Sequence, residues 1–283
     1  MFNSAQLESL YSFMVAYAKN PRVSVRNLHR DYSHYKNREA TRQLISRARK
    51  KRAIIGPHIL CNSGIDMEMH SDIDDPLLFL EQKKEESEVT YIMALIGDPS
   101  VIVFKKGASI VTYSEAIIPT YPSQRTIDSI KLKEKGKLPV DRYPHGWDDL
   151  DWKVYHEMRD PAVSFVKCGK KLGVSWHTVK NRFEDIIKDC KSWITFFPKG
   201  YDSYQQSVLL FKTEYEVGLR NELQKMDRSS ILYKFGDTLM LQLFMDETLF
   251  KLHQDYNLFY ELKREGLIHD LRVSIPIAYY SSI

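Results

Sequence analysis

The chain repeats itself at an offset of about 139 residues, and this repeat constrains the fold more than any other feature of the sequence. Three landmarks of different kinds agree on the offset: a stretch that follows a helix, a helix-capping residue and a glycine-aspartate turn. They pair residues 20–24 with 160–164, Asn37 with Ser175, and Gly97-Asp98 with Gly236-Asp237. The agreement indicates a tandem duplication, so we expect the same supersecondary units in the same order in each half.

The length and composition are those of a globular protein with several domains. The chain has 283 residues, of which 43% are hydrophobic and 28% are charged. It contains neither an apolar run of about eighteen residues nor an export leader, so we expect a cytoplasmic protein without a membrane partner. Cys61, Cys168 and Cys190 lack metal-binding or disulfide spacing and are interpreted as buried thiols. No metal and no cofactor are predicted.

Positive charge is concentrated at the amino-terminal end. Residues 1–55 contain 12 Lys and Arg against 3 Asp and Glu, a net charge of +9, whereas residues 56–120 contain 4 against 11, a net charge of −7. Residues 149–197 contain 9 against 7, which is only +2. The first segment is therefore suited to a polyanion such as double-stranded DNA.

Apolar periodicity in the second half predicts three short helices. Leu150, Val154 and Met158 mark a first buried stripe, and a second helix over residues 164–172 ends at Gly173. A third helix follows the capping residue Ser175. Its inward positions are Val179, Phe183 and Ile186. This helix-turn-helix pattern places five DNA-binding candidates near its outer face: Trp176, His177, Lys180, Asn181 and Arg182.

The first half has the same pattern, with a longer turn before the third helix. That helix follows Asn37, and its inward positions are Thr41, Leu44, Ile45 and Ala48. Its outward side chains are suited to base edges, namely Arg38, Arg42, Gln43 and Arg47, and to phosphates, namely Arg49, Lys50 and Lys51. We therefore expect the first copy to bind DNA more tightly than the second.

The carboxy-terminal residues alternate between strand and helix patterns in the order β-α-β-β-α-β, which is the ferredoxin-like order. The hairpin turns at Gly236-Asp237, and the second helix is predicted over residues 247–266. In the first copy, the third strand ends near Lys106 and a new extended run covers residues 109–119, so no room remains for a second helix. We expect this incomplete sheet to pack on the complete unit or on a second subunit.

These patterns predict an α+β protein with two winged or helix-turn-helix domains, each followed by a ferredoxin-like (βαββαβ) domain, of which the first is truncated. The predicted boundaries are 1–55 and 56–120 for the first copy, 121–148 for an exposed linker with three prolines, and 149–197 and 198–283 for the second copy.

The second half resembles the Lrp/AsnC (feast/famine) transcription regulators of bacteria and archaea. The resemblance rests on L-D-W-K-V-Y, L-G-V-S-W-H-T-V-K-N-R-F and F-G-D-T-L-M-L-Q-L, all within residues 150–283, and indicates a tandem-duplicated, archaeal-type member. It implies sequence-specific DNA binding and a homodimer formed through the carboxy-terminal sheet domain. It also implies a small effector, such as an amino acid, held near Gly236 and Asp237.

Two alternatives stay open beside a regulator. Siroheme decarboxylases look like Lrp/AsnC proteins fused or paired in two copies, with His and Arg handling the tetrapyrrole carboxylates. Their Tyr-Pro-x-Trp-Pro-Tyr-type signature is not found here; the nearest string is residues 143–147 in the predicted linker. Nucleophile-elbow, phosphate-loop and zinc-protease motifs are also missing, so we predict a protein that is not an enzyme. The other alternative is a DNA-independent effector sensor or assembly protein.

Overall fold

The computed structural model describes residues 2–108, 110–123, 125–246 and 249–282. By its internal contacts the chain divides into two compact units, each made of several segments. The helix-turn-helix unit comprises Met1–Cys61, Thr120–Pro122 and Pro144–Asp202, and the sheet unit comprises Asn62–Pro119, Ser123–Tyr143 and Ser203–Ile283. Each unit therefore draws on both copies of the repeat.

The two copies produce nearly the same succession of helices and strands. The first copy contains α1 (Ser4–Lys19), α2 (Val25–Tyr32), α3 (Arg38–Lys50), β1 (Ile54–Leu60), β2 (Ile65–His70), α4 (Pro76–Lys83), β3 (Val89–Gly97), β4 (Val101–Lys106) and β5 (Val111–Ile117). The second contains α5 (Asp149–Met158), α6 (Phe165–Leu172), α7 (Trp176–Ile186), β6 (Lys191–Phe196), β7 (Tyr204–Lys212), α8 (Glu216–Leu223), β8 (Ser230–Phe235), β9 (Thr238–Asp246), α9 (Leu249–Arg264) and β10 (His269–Ser281).

In the helix-turn-helix unit, a two-stranded antiparallel ribbon joins the two copies. Strand β1 pairs with β6, in a register that places Ile54 opposite Phe196 and Leu60 opposite Lys191. The second three-helix copy packs its apolar stripe around Val154, Met158 and Phe183. Ile59 of the ribbon belongs to the same buried cluster, so a strand of the first copy completes the core of the second.

The turns before the third helices differ in length, as predicted. Residues 173–175 separate α6 from α7, and Gly173 has the left-handed backbone angle (φ +69°) that ends α6. In the first copy, five residues, 33–37, separate α2 from α3.

The sheet unit is built on one eight-stranded sheet in the order β2-β4-β3-β10-β7-β9-β8-β5. The second copy supplies four contiguous strands, β10-β7-β9-β8, with the predicted β-α-β-β-α-β connectivity. Helix α9 runs from Leu249 to Arg264; the predicted start of this helix, Glu247, lies outside the described residues.

The first copy adds its strands to both edges of this four-stranded sheet. Strand β3 pairs antiparallel with β10, and β5 pairs antiparallel with β8. The incomplete copy, which was predicted to pack on the complete one or on a second subunit, thus joins the complete one through strand edges. Among the described residues the chain passes from β4 to β5 without a second helix. Residues 56–120 do not form a separate domain, however, because their backbone hydrogen bonds are shared with the second copy.

Apolar side chains fill both faces of the sheet. On one face, Leu209 and Leu241 pack with residues of α8 and α9, such as Leu219 and Phe259. Residues of β2, β3, β4, β5, β7 and β9 form a separate cluster: Met67, Met93, Leu95, Ile102, Phe104, Val111, Val208, Leu210 and Met240. That cluster includes both edge strands, β2 and β5, so the sheet curls around it.

The segment predicted as an exposed linker, residues 121–148, is anchored in the core at several apolar positions. Four of its apolar residues are at most 6% exposed and belong to the core beneath α8 and α9: Ile127, Ile130, Leu132 and Leu138. The backbone of Gly136 bridges to Tyr215, and Leu138 N donates to the buried Glu216 carboxylate at 2.8 Å. We call residues 127–138 the strap. Their apolar residues lack helical or strand periodicity, which is why the sequence suggested that the segment is exposed to solvent.

None of the helices described is both long and apolar enough to cross a lipid bilayer.

Candidate nucleic-acid interface

Helix α3 is held by its apolar side and exposes a basic side. Asn37 caps it, its side-chain oxygen accepting a hydrogen bond from Ala40 N at 2.8 Å. The predicted inward residues are all buried: Thr41, Leu44, Ile45 and Ala48. The predicted outward residues are all exposed: Arg38, Arg42, Gln43, Arg47, Arg49, Lys50 and Lys51. Their orientation thus follows from the helical period.

The exposed face of α3 is strongly cationic. From Arg38 to Lys51 there are six Lys or Arg side chains and one carboxylate, Glu39, a net charge of +5. Glu39 lies 3.3 Å from Arg42 Nε and accepts a hydrogen bond from Gln43 Nε2 at 3.3 Å. Both partners of the Glu39–Arg42 ion pair are more than half exposed, so water and salt weaken it.

The basic residues fall into two groups by their contacts. Arg47 donates to Gln6 Oε1 at 2.6 Å and lies 4.7 Å from the Phe2 ring, while Arg49 lies 5.8 Å from the Tyr17 ring. These contacts with α1 restrain both guanidinium groups. In contrast, Arg38, Lys50 and Lys51 have no ion pair among the described residues. A shallow depression of about 320 Å³ runs along the helix.

Helix α7 is built in the same way, with Ser175 accepting from Thr178 N at 3.0 Å. Trp176, His177 and Asn181 are exposed as predicted, and the Trp176 and His177 rings stack with centroids 3.5 Å apart. Lys180, however, lies 3.2 Å from Glu184 of the next turn. Helix α7 contains two basic and two acidic residues, so its net charge is zero.

Arg182, which was predicted to bind DNA, forms ion pairs inside the helix-turn-helix unit. Its guanidinium lies 2.9 Å from Asp148 and 3.1 Å from Asp151, the two residues that form the capping box of α5. The field of Asp151, followed by that of Asp148, raises the pKa of Arg182. This side chain holds α7 against the start of α5, and the helical period alone could not reveal that contact.

The proposed effector residues, Gly236 and Asp237, form the turn between β8 and β9. Gly236 has a left-handed backbone (φ +56°), and a Cβ placed on it would meet nothing within 4 Å. Asp237 lies 3.2 Å from Lys212, which also pairs with Asp270 at 3.2 Å. The hydrogen bond from Lys212 lowers the pKa of Asp237. These contacts explain a tight, charged turn; effector binding and the homodimer remain predictions.

Arg22, for which no role was predicted, joins the two copies inside the helix-turn-helix unit. Its guanidinium donates to the carbonyl oxygens of Pro161 and Val163, at 2.5 and 3.0 Å, and lies 4.0 Å from the Phe165 ring. Burial lowers its pKa, opposed by the nearby Asp160. The repeat contained a signal, because Arg22 aligns with Ala162 in an otherwise similar stretch.

Comparison with solved structures identifies a similar fold. The structure resembles the crystal structure of the siroheme decarboxylase NirDL, with a TM-score of 0.54, 10% sequence identity, and coverage of 96% of this chain and 92% of that one. The same protein in complex with an iron-uroporphyrin III analogue gives a TM-score of 0.49 and 8% identity over the same shares. No protein-family model and no curated protein matches the chain.

The first similarity shows that this chain shares a mixed α/β fold with a solved enzyme, and it contradicts one prediction. The chain was predicted not to be an enzyme, but its fold is that of a solved enzyme. The prediction that the chain is not an enzyme was wrong because it relied on the absence of nucleophile-elbow, phosphate-loop and zinc-protease motifs. Those motifs belong to other classes of reaction. Their absence does not exclude chemistry on this fold.

Proposed function

We propose that the chain binds double-stranded DNA through α3, as an Lrp/AsnC-type transcription regulator does. The observation that carries the proposal is the exposed face of α3, where six basic side chains accompany a single carboxylate. Such an excess attracts the DNA backbone and gains free energy from the release of condensed counterions. A capped helix that presents one such face is the form in which helix-turn-helix proteins enter the major groove.

The residues of α3 divide between positioning and sequence reading. Arg42 and Gln43 lie near the middle of the exposed face, and their planar groups match the hydrogen-bonding edges of guanine and adenine, respectively. Lys50 and Lys51, at the end of the helix, are suited to phosphates, which set position without sequence information. Arg47 and Arg49 are restrained by α1 and therefore lose less conformational freedom on binding.

The salt dependence of DNA binding tests this proposal. We expect the logarithm of the association constant for duplex DNA to fall linearly with the logarithm of salt concentration, with a slope of about −0.9 for each phosphate neutralised. Fluorescence anisotropy with labelled genomic fragments measures it. The Arg42→Ala variant should bind the preferred site about 1–3 kcal/mol more weakly if Arg42 reads a base. The matched Lys180→Ala variant should retain affinity.

A failure of this experiment is informative. Binding that is absent at low salt, or that does not respond to salt, would contradict the proposal and favour the DNA-independent sensor or assembly protein. An unchanged site preference in Arg42→Ala would contradict the assignment of that side chain alone.

A second candidate function is a decarboxylation of the siroheme-decarboxylase type. The specific observation in its favour is the fold similarity to NirDL over 96% of this chain, which supports this candidate better than it supports a regulator. The surface of α3 supports the regulator instead. Anaerobic incubation of the chain with siroheme, followed by mass spectrometry of the tetrapyrrole, would show loss of carboxylate groups as CO2 if this candidate is correct. Unchanged siroheme, with no spectral shift on mixing, would contradict it.

A further inference from the structure

Two of the three cysteines lie opposite each other at one end of the ribbon formed by β1 and β6. The ladder ends with Leu60 opposite Lys191, and the next residues outward are Cys61 and Cys190. Both are free thiols, both are partly buried, and both pack against the same apolar cluster of the second three-helix copy. Their separation in sequence concealed this proximity, which only the pairing of β1 with β6 creates.

The ribbon geometry suits a covalent link between these residues. Directly opposed residues of an antiparallel pair have Cα atoms about 4.5 or 5.5 Å apart, depending on the hydrogen-bonding pattern. Disulfides span Cα distances of roughly 4.4–6.8 Å. Both kinds of antiparallel pair fall within that range. Cys61 and Cys190 directly follow the last pair of the ladder, and their side chains are in hydrogen-bonding contact, so the ribbon brings them close enough for a disulfide.

The surroundings make the two thiols chemically unequal. A hydrogen bond from Cys190 to the Cys61 sulfur lowers the pKa of Cys61, with further help from the Tyr155 hydroxyl and the charge of Arg159, against the effect of burial. The same hydrogen bond, together with burial, raises the pKa of Cys190. Since the thiolate is the nucleophile, Cys61 is the thiol that reacts first.

We propose that hydrogen peroxide oxidises the thiols of Cys61 and Cys190 and that the two residues then form an intrachain disulfide. The Cys61 thiolate attacks one oxygen of hydrogen peroxide; the O–O bond breaks, hydroxide leaves and takes a proton to become water, and Cys61 becomes a sulfenic acid. The Cys190 sulfur then attacks the Cys61 sulfur. The S–O bond breaks, and the hydroxyl leaves with the thiol proton as a second water. Two thiols lose two electrons and two protons, and one peroxide is reduced.

Cys168 provides an internal control. It lies in α6, is 1% exposed, and has a pKa raised by burial, so it is protected from both peroxide and thiolate formation. It should remain a thiol when the pair is oxidised.

Thiol counting on the full chain tests the proposal. The reduced protein is treated with hydrogen peroxide, then denatured and alkylated, and its mass and peptides are analysed. We expect three alkylated thiols before oxidation and one after it, a Cys61–Cys190 linked peptide, and recovery of three thiols with dithiothreitol. In Cys168→Ser the disulfide should form unchanged. In Cys61→Ser the oxidation of Cys190 should be about tenfold slower or more, and Cys190→Ser should accumulate Cys61 sulfenic acid.

Three results would overturn the proposal: three intact thiols after peroxide treatment, a disulfide that includes Cys168, or a bond formed only between two chains. Circular dichroism of the serine variants before oxidation separates a folding defect from a loss of reactivity. None of these measurements depends on DNA binding or on decarboxylation, so the proposal stands or fails independently of the function proposed above.

Discussion

Helices α3 and α7 occupy equivalent places in the two copies, yet they differ in what they offer to a partner. Both begin at a side-chain cap, provided by Asn37 and Ser175, and both bury one apolar stripe. On α3 and its following residue the basic side chains outnumber the acidic ones by six to one, whereas on α7 the numbers are equal. The two copies share the residues that cap and bury the helix, and they differ in the charges on its outer face.

This difference shows which residues of the repeated three-helix unit can vary without loss of its fold. The inward residues stabilise each copy by packing and the caps stabilise it by hydrogen bonds, so the loss of either lowers its stability. The outward residues contact solvent and are less constrained. In the second copy, the cations Lys180 and Arg182 form ion pairs with Glu184 and Asp148. We therefore expect DNA affinity to reside mainly in the first copy, while both copies contribute to the stability of the helix-turn-helix unit.

The largest expected effect comes from removing three exposed cations of α3. The variant Arg38→Ala/Arg42→Ala/Lys50→Ala should lower duplex DNA affinity about 100-fold or more, because each lost contact contributes roughly 1 kcal/mol or more. The matched control, Lys167→Ala/Lys170→Ala/Lys180→Ala, removes the same charge from the second copy and should change affinity far less. Anisotropy titrations at one salt concentration compare them. Equal losses in the two variants would show that net charge, rather than α3, determines binding.

A smaller effect, equal in the two copies, is expected at the caps. Asn37→Ala and Ser175→Ala should each lower the free energy of unfolding by about 1 kcal/mol, because each leaves a helical N–H without its acceptor. Asn37→Ser and Ser175→Asn keep a capping oxygen and serve as controls. All four tryptophans (Trp147, Trp152, Trp176 and Trp193) lie in the helix-turn-helix unit, so urea unfolding followed by their fluorescence reports on that unit. A cap whose loss costs nothing would mean that other contacts hold its helix.

The sequence predicted the features whose causes are local. Caps at Asn37 and Ser175, the buried stripe of α3 and the Gly236-Asp237 turn each depend on residues within a few positions of one another. The order of elements followed from the same local signals. The duplication then allowed the missing second helix of the first copy to be predicted from the short connection between β4 and β5.

The features that were missed depend on contacts between distant segments. The first copy places β5 beside β8, and nothing within residues 111–117 specifies that partner. The strap around Leu132 gains its burial only after α8 and α9 are in place. The helical period places Arg182 on the outer side of α7 but does not show that the acidic start of α5 lies within reach of it. The Cys61–Cys190 pair likewise requires the strand register.

The smallest expected effect concerns the ion pair between Arg182 of α7 and Asp148. Its contribution to stability is detected mainly by its dependence on pH. The pKa of Asp148 is lowered from 3.8, first by the hydrogen bond from Asp151 N and then by Arg182. A carboxyl whose pKa is lowered on folding stabilises the protein above its unfolded pKa and loses that contribution as pH falls through the folded value. Arg182→Gln should therefore lower the urea midpoint at about pH 6, and its difference from the wild type should shrink at about pH 2.5.

The control for this prediction is Lys180→Gln, which removes the same charge from the same helix but breaks only an exposed pair with Glu184. Its midpoint should differ little from that of the wild type at either pH, because exposed pairs contribute little. If Arg182→Gln behaves like Lys180→Gln at both pH values, the Arg182 ion pair does not anchor α7. Its guanidinium would then be available to a partner, and the contrast between the two helices would be weaker than the structure indicates.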